Sequence, residues 1–258
     1  MIVVVGAGIA GLCAALAAAG DSRLGSEGLS ASGRASIPKN GTYRPQEVLL
    51  VCKDKFVESN TYHAQGGVAT AIFNDDSPAL HATDTMAAGH GLCDRTAVDI
   101  LTDEGARRVR ELIGDGWHVD RDGEGHVLRG LEAAHCRSRV VHAGGDATGK
   151  VLELDVSAMV RENPNITVLE HAFLNDVLVR DGHVAGVRLA VRDAQDGVET
   201  RVVDTDRVVL ATGGAGRLFP YTTNPAVATG DGLAAAIRAG AQVADLEFYQ
   251  FHPTALAI

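Results

Sequence analysis

The glycine spacing near the start of the chain constrains the fold more than any other feature of it. Gly6, Gly8 and Gly11 read G-x-G-x-x-G, directly after the β-branched run Ile2–Val5 and directly before an Ala/Leu-rich stretch from Leu12 to Ala19. A glycine turn between a strand and a helix is the context in which this spacing has chemical meaning. Gly6 permits a tight turn off the strand, Gly8 lets a pyrophosphate approach the backbone, and Gly11 lets the helix lie close to the sheet. The helix then offers unpaired N–H groups and the positive end of its dipole to the phosphates. The stretch predicts a β-α unit that binds a dinucleotide.

The same twenty residues are about as long and apolar as a membrane span or secretory leader. They lack a basic flank and an A-x-A cleavage site, and β-branched residues followed by glycines suit a strand and turn. No membrane partner is therefore expected. A formal net charge of −10 also argues against nucleic acid and anionic membranes. With 258 residues, 46% of them hydrophobic, the chain has ample material for a core. Cys13, Cys52, Cys93 and Cys136 show no C-x-x-C spacing. They read as reduced thiols, so a cytoplasmic location is expected. No histidine pair has a ligand spacing, and no metal is expected.

Along the chain, Asp21 to Glu47 is rich in Gly, Ser and Arg, without an apolar period, and reads as a flexible loop insertion. Val48 to Cys52 is an apolar run suited to a buried parallel strand. Helices are expected at Ser77–Ala88, at Arg95–Ile113 behind an Asp94 cap and stopped by Gly114, and at Gly149–Asn163 before Pro164. Trp117 to Arg129 alternates with glycine turns and reads as a hairpin. From Ile166 the pattern becomes β: 166–169, 176–179, 184–191, 200–203 and 207–211. A last helix, Asp231–Ala239, has Gly240 as its expected C-cap. Ala211–Gly214, A-T-G-G, is a second place where backbone can approach a ligand.

Several longer motifs agree with one another. They are G-A-G-I-A-G-L (6–12), A-Q-G-G-V-A (64–69), H-A-G-G-D-A-T-G (142–149), A-T-G-G-A (211–215), Y-T-T-N-P (221–225), T-G-D-G (229–232) and L-E-F-Y-Q-F-H-P-T-A-L (246–256). Through them the chain resembles the fumarate reductase / succinate dehydrogenase flavoprotein family, most closely its L-aspartate oxidase branch. The resemblance implies an α/β, Rossmann-like FAD-binding domain with a parallel sheet and an added β-meander, incomplete at its C-terminus. It implies a domain over 1–246, with 21–47 as the loop insertion, and the start of a truncated substrate-capping region over 247–258.

The resemblance also assigns roles. Gly6, Ala7, Gly8, Ile9, Ala10 and Gly11 would hold the FAD pyrophosphate, and Lys53 would lie by the adenosine ribose. Asn60, Thr61, Tyr62, His63, Ala64, Gln65, Gly66 and Gly67 would line the flavin side. Phe173 and Leu174 would offer backbone to the adenine, and Asp231 would reach the cofactor. Cys52 stands where the family has serine. Ser59-Asn60-Thr61 replaces the S-H-T segment whose histidine bonds covalently to flavin in respiratory members, so non-covalent FAD is implied. Asp231 also suits a helix cap on its residue type alone.

For substrate, the resemblance points to Glu132 facing an amino group and to Gln250 and His252 binding a carboxylate. An ammonium needs a carboxylate that fumarate does not. Arg137 and Arg139 read as surface or loop contacts. The implied reaction is oxidation of L-aspartate to iminoaspartate with oxygen or fumarate as acceptor, the first step of de novo NAD biosynthesis, with quinolinate synthase downstream. The proton-handling arginine is expected beyond residue 258, leaving no catalytic residue in this stretch. The chain then reads as an N-terminal fragment, inactive by itself. The alternatives are a soluble fumarate reductase-like flavoprotein and a non-catalytic nucleotide-binding remnant.

Overall fold

The computed structural model describes residues 1–21, 23, 45–193, 195 and 197–251. Most of the 21–47 insertion, together with His252 and the rest of the 252–258 segment, lies outside the described residues. The described parts of 1–20, 43–63 and 157–258 form one compact unit, and those of 21–42 and 64–156 a second.

The first unit is built on a parallel sheet of β1 (Ile2–Val5), β2 (Val48–Val51), β6 (Ile166–Leu169) and β10 (Val208–Leu210), in the order β10-β1-β2-β6. Val4 pairs with Leu50 and Val209 on its two sides. These strands are short apolar runs rather than alternating ones because both faces of the sheet are covered. One face carries α1 (Ile9–Ala18), which buries Gly11, Leu12, Ala15 and Leu16. The other carries an antiparallel meander of β7 (Ala172–Arg180), β8 (His183–Arg192) and β9 (Val198–Asp204). Val3, Val5 and Val51 meet Ala172, Leu174, Val187, Leu189 and Val191 in one core, which Ala235 of α5 (Asp231–Arg238) joins. A fully buried leucine such as Leu12, Leu16 or Leu50 contributes about 1.5–3 kcal/mol. The sheet and the meander agree with the expected fold class.

Helix ends follow local chemistry. Ser77 Oγ accepts from the Leu80 N–H and starts α2 (Pro78–Ala88), and Asp94 Oδ1 accepts from the Ala97 N–H and starts α3 (Arg95–Gly114). Gly240 is not the C-cap of α5; Ala239 is, and Gly240 follows it at φ +87°. The N–H groups of Gly240 and Ala241 return to the carbonyls of Ile237 and Ala236, a Schellman closure that needs the left-handed residue one position later.

The second unit holds α2, α3, most of α4 (Thr148–Glu162) and a small antiparallel sheet of β3 (Val68–Ala69), β4 (Arg129–Gly130) and β5 (Val140–Val141) in the order β3-β5-β4. The hairpin expected over Trp117–Arg129 shrinks to one bridge, Arg121 with Val127. Asp122 Oδ1 gathers the N–H groups of Glu124 and His126 into a tight turn, and Arg129 pairs with β5 instead. Arg139 corrects the surface reading. Its side chain is fully buried on two aspartates, because a guanidinium paired bidentately can leave water where a lone charge cannot.

Candidate functional site

The parallel strands β1, β2 and β10 end together at one cleft of the first unit. Its wall runs from Val5 to Ala10, from Val51 to Asp54 and from Glu58 to Thr61. It is completed by Ala172, Leu174, Leu210–Gly213, Val227, Ala228, Asp231 and Gly232. Ligands of open α/β sheets bind at this carboxyl edge.

The three glycines act differently there. A Cβ on Gly6, which sits at φ +108°, would lie 2.2 Å from the Ala211 carbonyl oxygen. One on Gly11 would lie 1.7 Å from the Gly6 carbonyl oxygen. Both glycines are therefore demanded by backbone meeting backbone. Gly11 packs behind the turn and does not line the cleft. Gly8 does line it, and a Cβ there would meet Thr61 Oγ1 at 3.2 Å.

Gly8 is the N-cap of α1 and brings no capping side chain. Thr61 supplies the missing acceptor from another segment, taking the Ile9 N–H at 3.0 Å. The next first-turn amides have no carbonyl one turn back to bond, so an anion is their natural partner. The cleft walls carry Asp54, Glu58 and Asp231 against the single cation of Lys53, so attraction for phosphate rests on these amides and the helix dipole.

Lys53 Nζ, just past β2, bonds Thr229 Oγ1 and Asp231 Oδ2. Asp231 is the first residue of α5, whose N-cap is Gly230. Its carboxylate therefore serves the lysine and the Thr229 hydroxyl rather than capping the helix from the N-cap position. Cys52 forms an apolar wall. Burial first, then the carboxylates of Glu170 and Asp54, push its thiol up to about 12, and its Sγ lies 3.7 Å from the Leu169 carbonyl.

Of the residues expected at the cofactor, the cleft gathers Gly6, Ala7, Gly8, Ile9, Ala10, Lys53, Asn60, Thr61, Leu174 and Asp231. Tyr62, His63 and Phe173 do not line it. His63 Nε2 instead meets Glu58 Oε1 at 3.0 Å. Ala64, Gln65, Gly66 and Gly67 belong to the second unit. There the Ala64 carbonyl accepts from the Gly149 N–H, and Gly67 lies against Val140 and Val141. Glu132 is exposed on a turn of that unit. Gln250 lines a second cleft of the first unit with Phe219, Tyr221, Asn224, Phe248 and Phe251. Asn60 Nδ2 donates to Asn224 Oδ1 at 3.3 Å, linking residues of the two clefts.

The cleft also takes in Thr212 of the A-T-G-G stretch, and sequence reasoning gave no role to Ser59 or Gly232. Ser59 Oγ accepts from the Tyr62 N–H and shapes the turn that presents Thr61. A Cβ on Gly232 would sit 1.9 Å from Thr212 Oγ1, so that glycine lets α5 approach the A-T-G-G loop. The T-G-D-G run held this signal, although only its aspartate was singled out.

FAD has two phosphates and two flat ring systems. A glycine cradle at a helix N-terminus beside a slot of Val51, Ala172, Leu174 and Leu210 fits such a molecule. Among the described residues no cluster of three or more His, Cys, Asp or Glu is placed to hold a metal ion, and no helix is long and apolar enough to cross a membrane.

A family model described as "FAD binding domain" matches residues 40–258. An L-aspartate oxidase of Streptomyces coelicolor is 44% identical over 258 residues, covering 99% of this chain and 40% of its own length. One from Caulobacter vibrioides is 43% identical, covering 99% and 45%. The chain thus spans less than half the length of these curated relatives. Among solved structures, the E. coli quinol fumarate reductase FrdA, in a mutant form, superposes with a TM-score of 0.77 at 29% identity, covering 92% of this chain and 36% of that one. Mycobacterium smegmatis Sdh1 gives 0.75 at 29% identity, with 92% and 38% covered.

Proposed function

Since the chain belongs to the FAD binding domain family, with FAD as its cofactor, we propose that it is the flavin-holding part of an L-aspartate oxidase. The observation that carries this reading is the Gly6–Ala10 cradle with Lys53 and Asp231, in a chain 40–44% identical over nearly its whole length to enzymes of that name. The whole protein oxidises L-aspartate to iminoaspartate and passes the electrons to oxygen or fumarate. This is the first step of de novo NAD biosynthesis, its product going to quinolinate synthase, and it takes place in the cytoplasm. Residues 1–246 form the FAD domain and 247–258 begin the capping region.

When bound, FAD supplies the two-electron acceptor for the hydride leaving the substrate α-carbon. The chain's own residues hold and orient. The amides of the first turn of α1 take the pyrophosphate, Lys53 lies by the ribose, and Leu174 offers backbone to the adenine. Asn60 and Thr61 line the flavin side. Glu132 pairs with the substrate ammonium, while Gln250 and His252 receive a carboxylate. Positioning of this kind is what brings two reactants within reacting distance.

The test uses the full-length protein. Glu132→Gln should weaken L-aspartate turnover by about 1.5–3 kcal/mol, the range for a hydrogen bond to a charged group, while fumarate reduction changes less. An equal loss with both substrates refutes the assignment.

A further inference from the structure

The second unit contains a buried charge cluster that the cofactor does not need. Arg139 is fully enclosed. Its Nε and Nη2 each donate to Asp76 at 2.8 Å, and its Nη1 donates to Asp84 Oδ2 at 2.7 Å and to His135 Nδ1 at 3.2 Å. Asp84 Oδ2 accepts a further bond, from the Cys136 N–H at 2.8 Å. Burial alone raises the Asp84 carboxyl, but the Cys136 and Arg139 bonds outweigh it and hold the group below its ordinary value.

Two of these anchors, His135 and Cys136, are neighbours on the turn that begins at Glu132. The His135 N–H closes that turn on the Glu132 carbonyl at 3.2 Å. Between Glu132 and His135, Ala134 is held at φ +72°, a left-handed conformation that is strained for a non-glycine residue and persists only where the surroundings over-determine it. The surroundings here are the Arg139 and Asp84 bonds to the next two residues.

We propose that Arg139 is a positioning residue that fixes the Glu132 turn through His135 and Asp84, and so sets selectivity for an amino-dicarboxylate over a dicarboxylate without an amine. This rests on the reading of Glu132 as the partner of the substrate ammonium. Lysine cannot replace the guanidinium, because a point charge lacks the planar fork that reaches Asp76, Asp84 and His135 together.

The experiment uses the full-length, FAD-loaded protein and compares Arg139→Lys, Glu132→Gln and the double variant. KM and kcat are measured for L-aspartate oxidation and for fumarate reduction. Arg139→Lys should raise KM for L-aspartate about tenfold and leave the fumarate KM within about twofold, the signature of lost binding rather than lost chemistry. In the Glu132→Gln background the same substitution should add little, because residues acting through one contact are not additive. Unchanged constants, an equal loss with both substrates, or full additivity would overturn the positioning role. If Arg139→Lys does not fold, Asp84→Asn keeps the Asp76 pair and carries the same expectations. A Glu132→Gln variant without a selective loss overturns the assignment of Glu132 itself, separately from the role of Arg139.

Discussion

The Ile9 N–H donates to Oγ1 of Thr61 at 3.0 Å, across fifty-two positions of sequence. The glycine turn cannot cap its own helix, since Gly8 has no side chain, and so the cap comes from the Ser59–Tyr62 turn. The start of α1 is therefore built from two chain segments. Thr61→Val keeps the shape of the side chain and removes the acceptor. FAD binding should weaken about tenfold, or about 1.4 kcal/mol, within the net worth of one hydrogen bond. Thr61→Ser should retain affinity. Titration of the apoprotein with FAD reads both, and equal affinities for all three forms would remove Thr61 from the cradle.

Gly8→Val acts on the same contact from the other side. Its Cβ would stand 3.2 Å from Thr61 Oγ1, and the added methyl groups would fill the approach to the first-turn amides. Affinity should fall about 100-fold, or about 2.8 kcal/mol, with the yellow colour lost on purification. Retained colour and affinity would show that the pyrophosphate lies elsewhere.

Gly11→Ala separates packing from ligand binding. In a free helix alanine is favoured over glycine by about 1 kcal/mol. Here the new Cβ would lie 1.7 Å from a backbone oxygen of Gly6, and backbone cannot swing aside. The clash outweighs the propensity gain, so a net loss of about 3 kcal/mol is expected, at the upper end of overpacking costs. The thermal midpoint of the apoprotein should drop by roughly 6–12 °C. A rise in midpoint would mean the turn relaxes.

The flavin should be held without a covalent bond. Asn60 stands where a histidine would be needed, and its amide, a poor nucleophile, donates to Asn224. Acid precipitation of the FAD-loaded full-length protein should leave all flavin fluorescence in the supernatant. Flavin retained in the pellet contradicts this.

Cys52 should be inert despite its place at the cleft. A thiol pushed up to about 12 has only about one thiolate in ten thousand at pH 8, and the thiolate is the reactive form. Iodoacetamide at pH 8 should label exposed Cys136 in the native protein and reach Cys52 only after denaturation. Mass spectrometry of tryptic peptides distinguishes the sites, and native labelling of both at one rate overturns the expectation.

Periodicity and spacing made β1, α1, β2 and the β6–β9 run legible. So were the cap at Asp94 and the glycine turn, because each depends on residues within a few positions of one another, whereas Ser77, read as the first residue of its helix, is its N-cap. The helix boundaries differ by a residue or so, and the small β4–β5 pairing of Arg129 with Val141 was not visible, since two-residue strands carry no pattern.

Sequence by itself determined the local chemistry: a strand, a glycine turn and a helix whose first amides lack an intrahelical partner. Tertiary structure decided the partners. It brought Thr61 to Ile9, Asp231 to Lys53 and Thr212 to Gly232, and it drew Arg139 inside onto Asp76 and Asp84. The physical reason is that burial changes what a charged or polar side chain needs. In water Arg139 and Asp84 would each be satisfied alone. Inside the protein they are stable only together, and which groups meet is set by chain segments far apart in sequence.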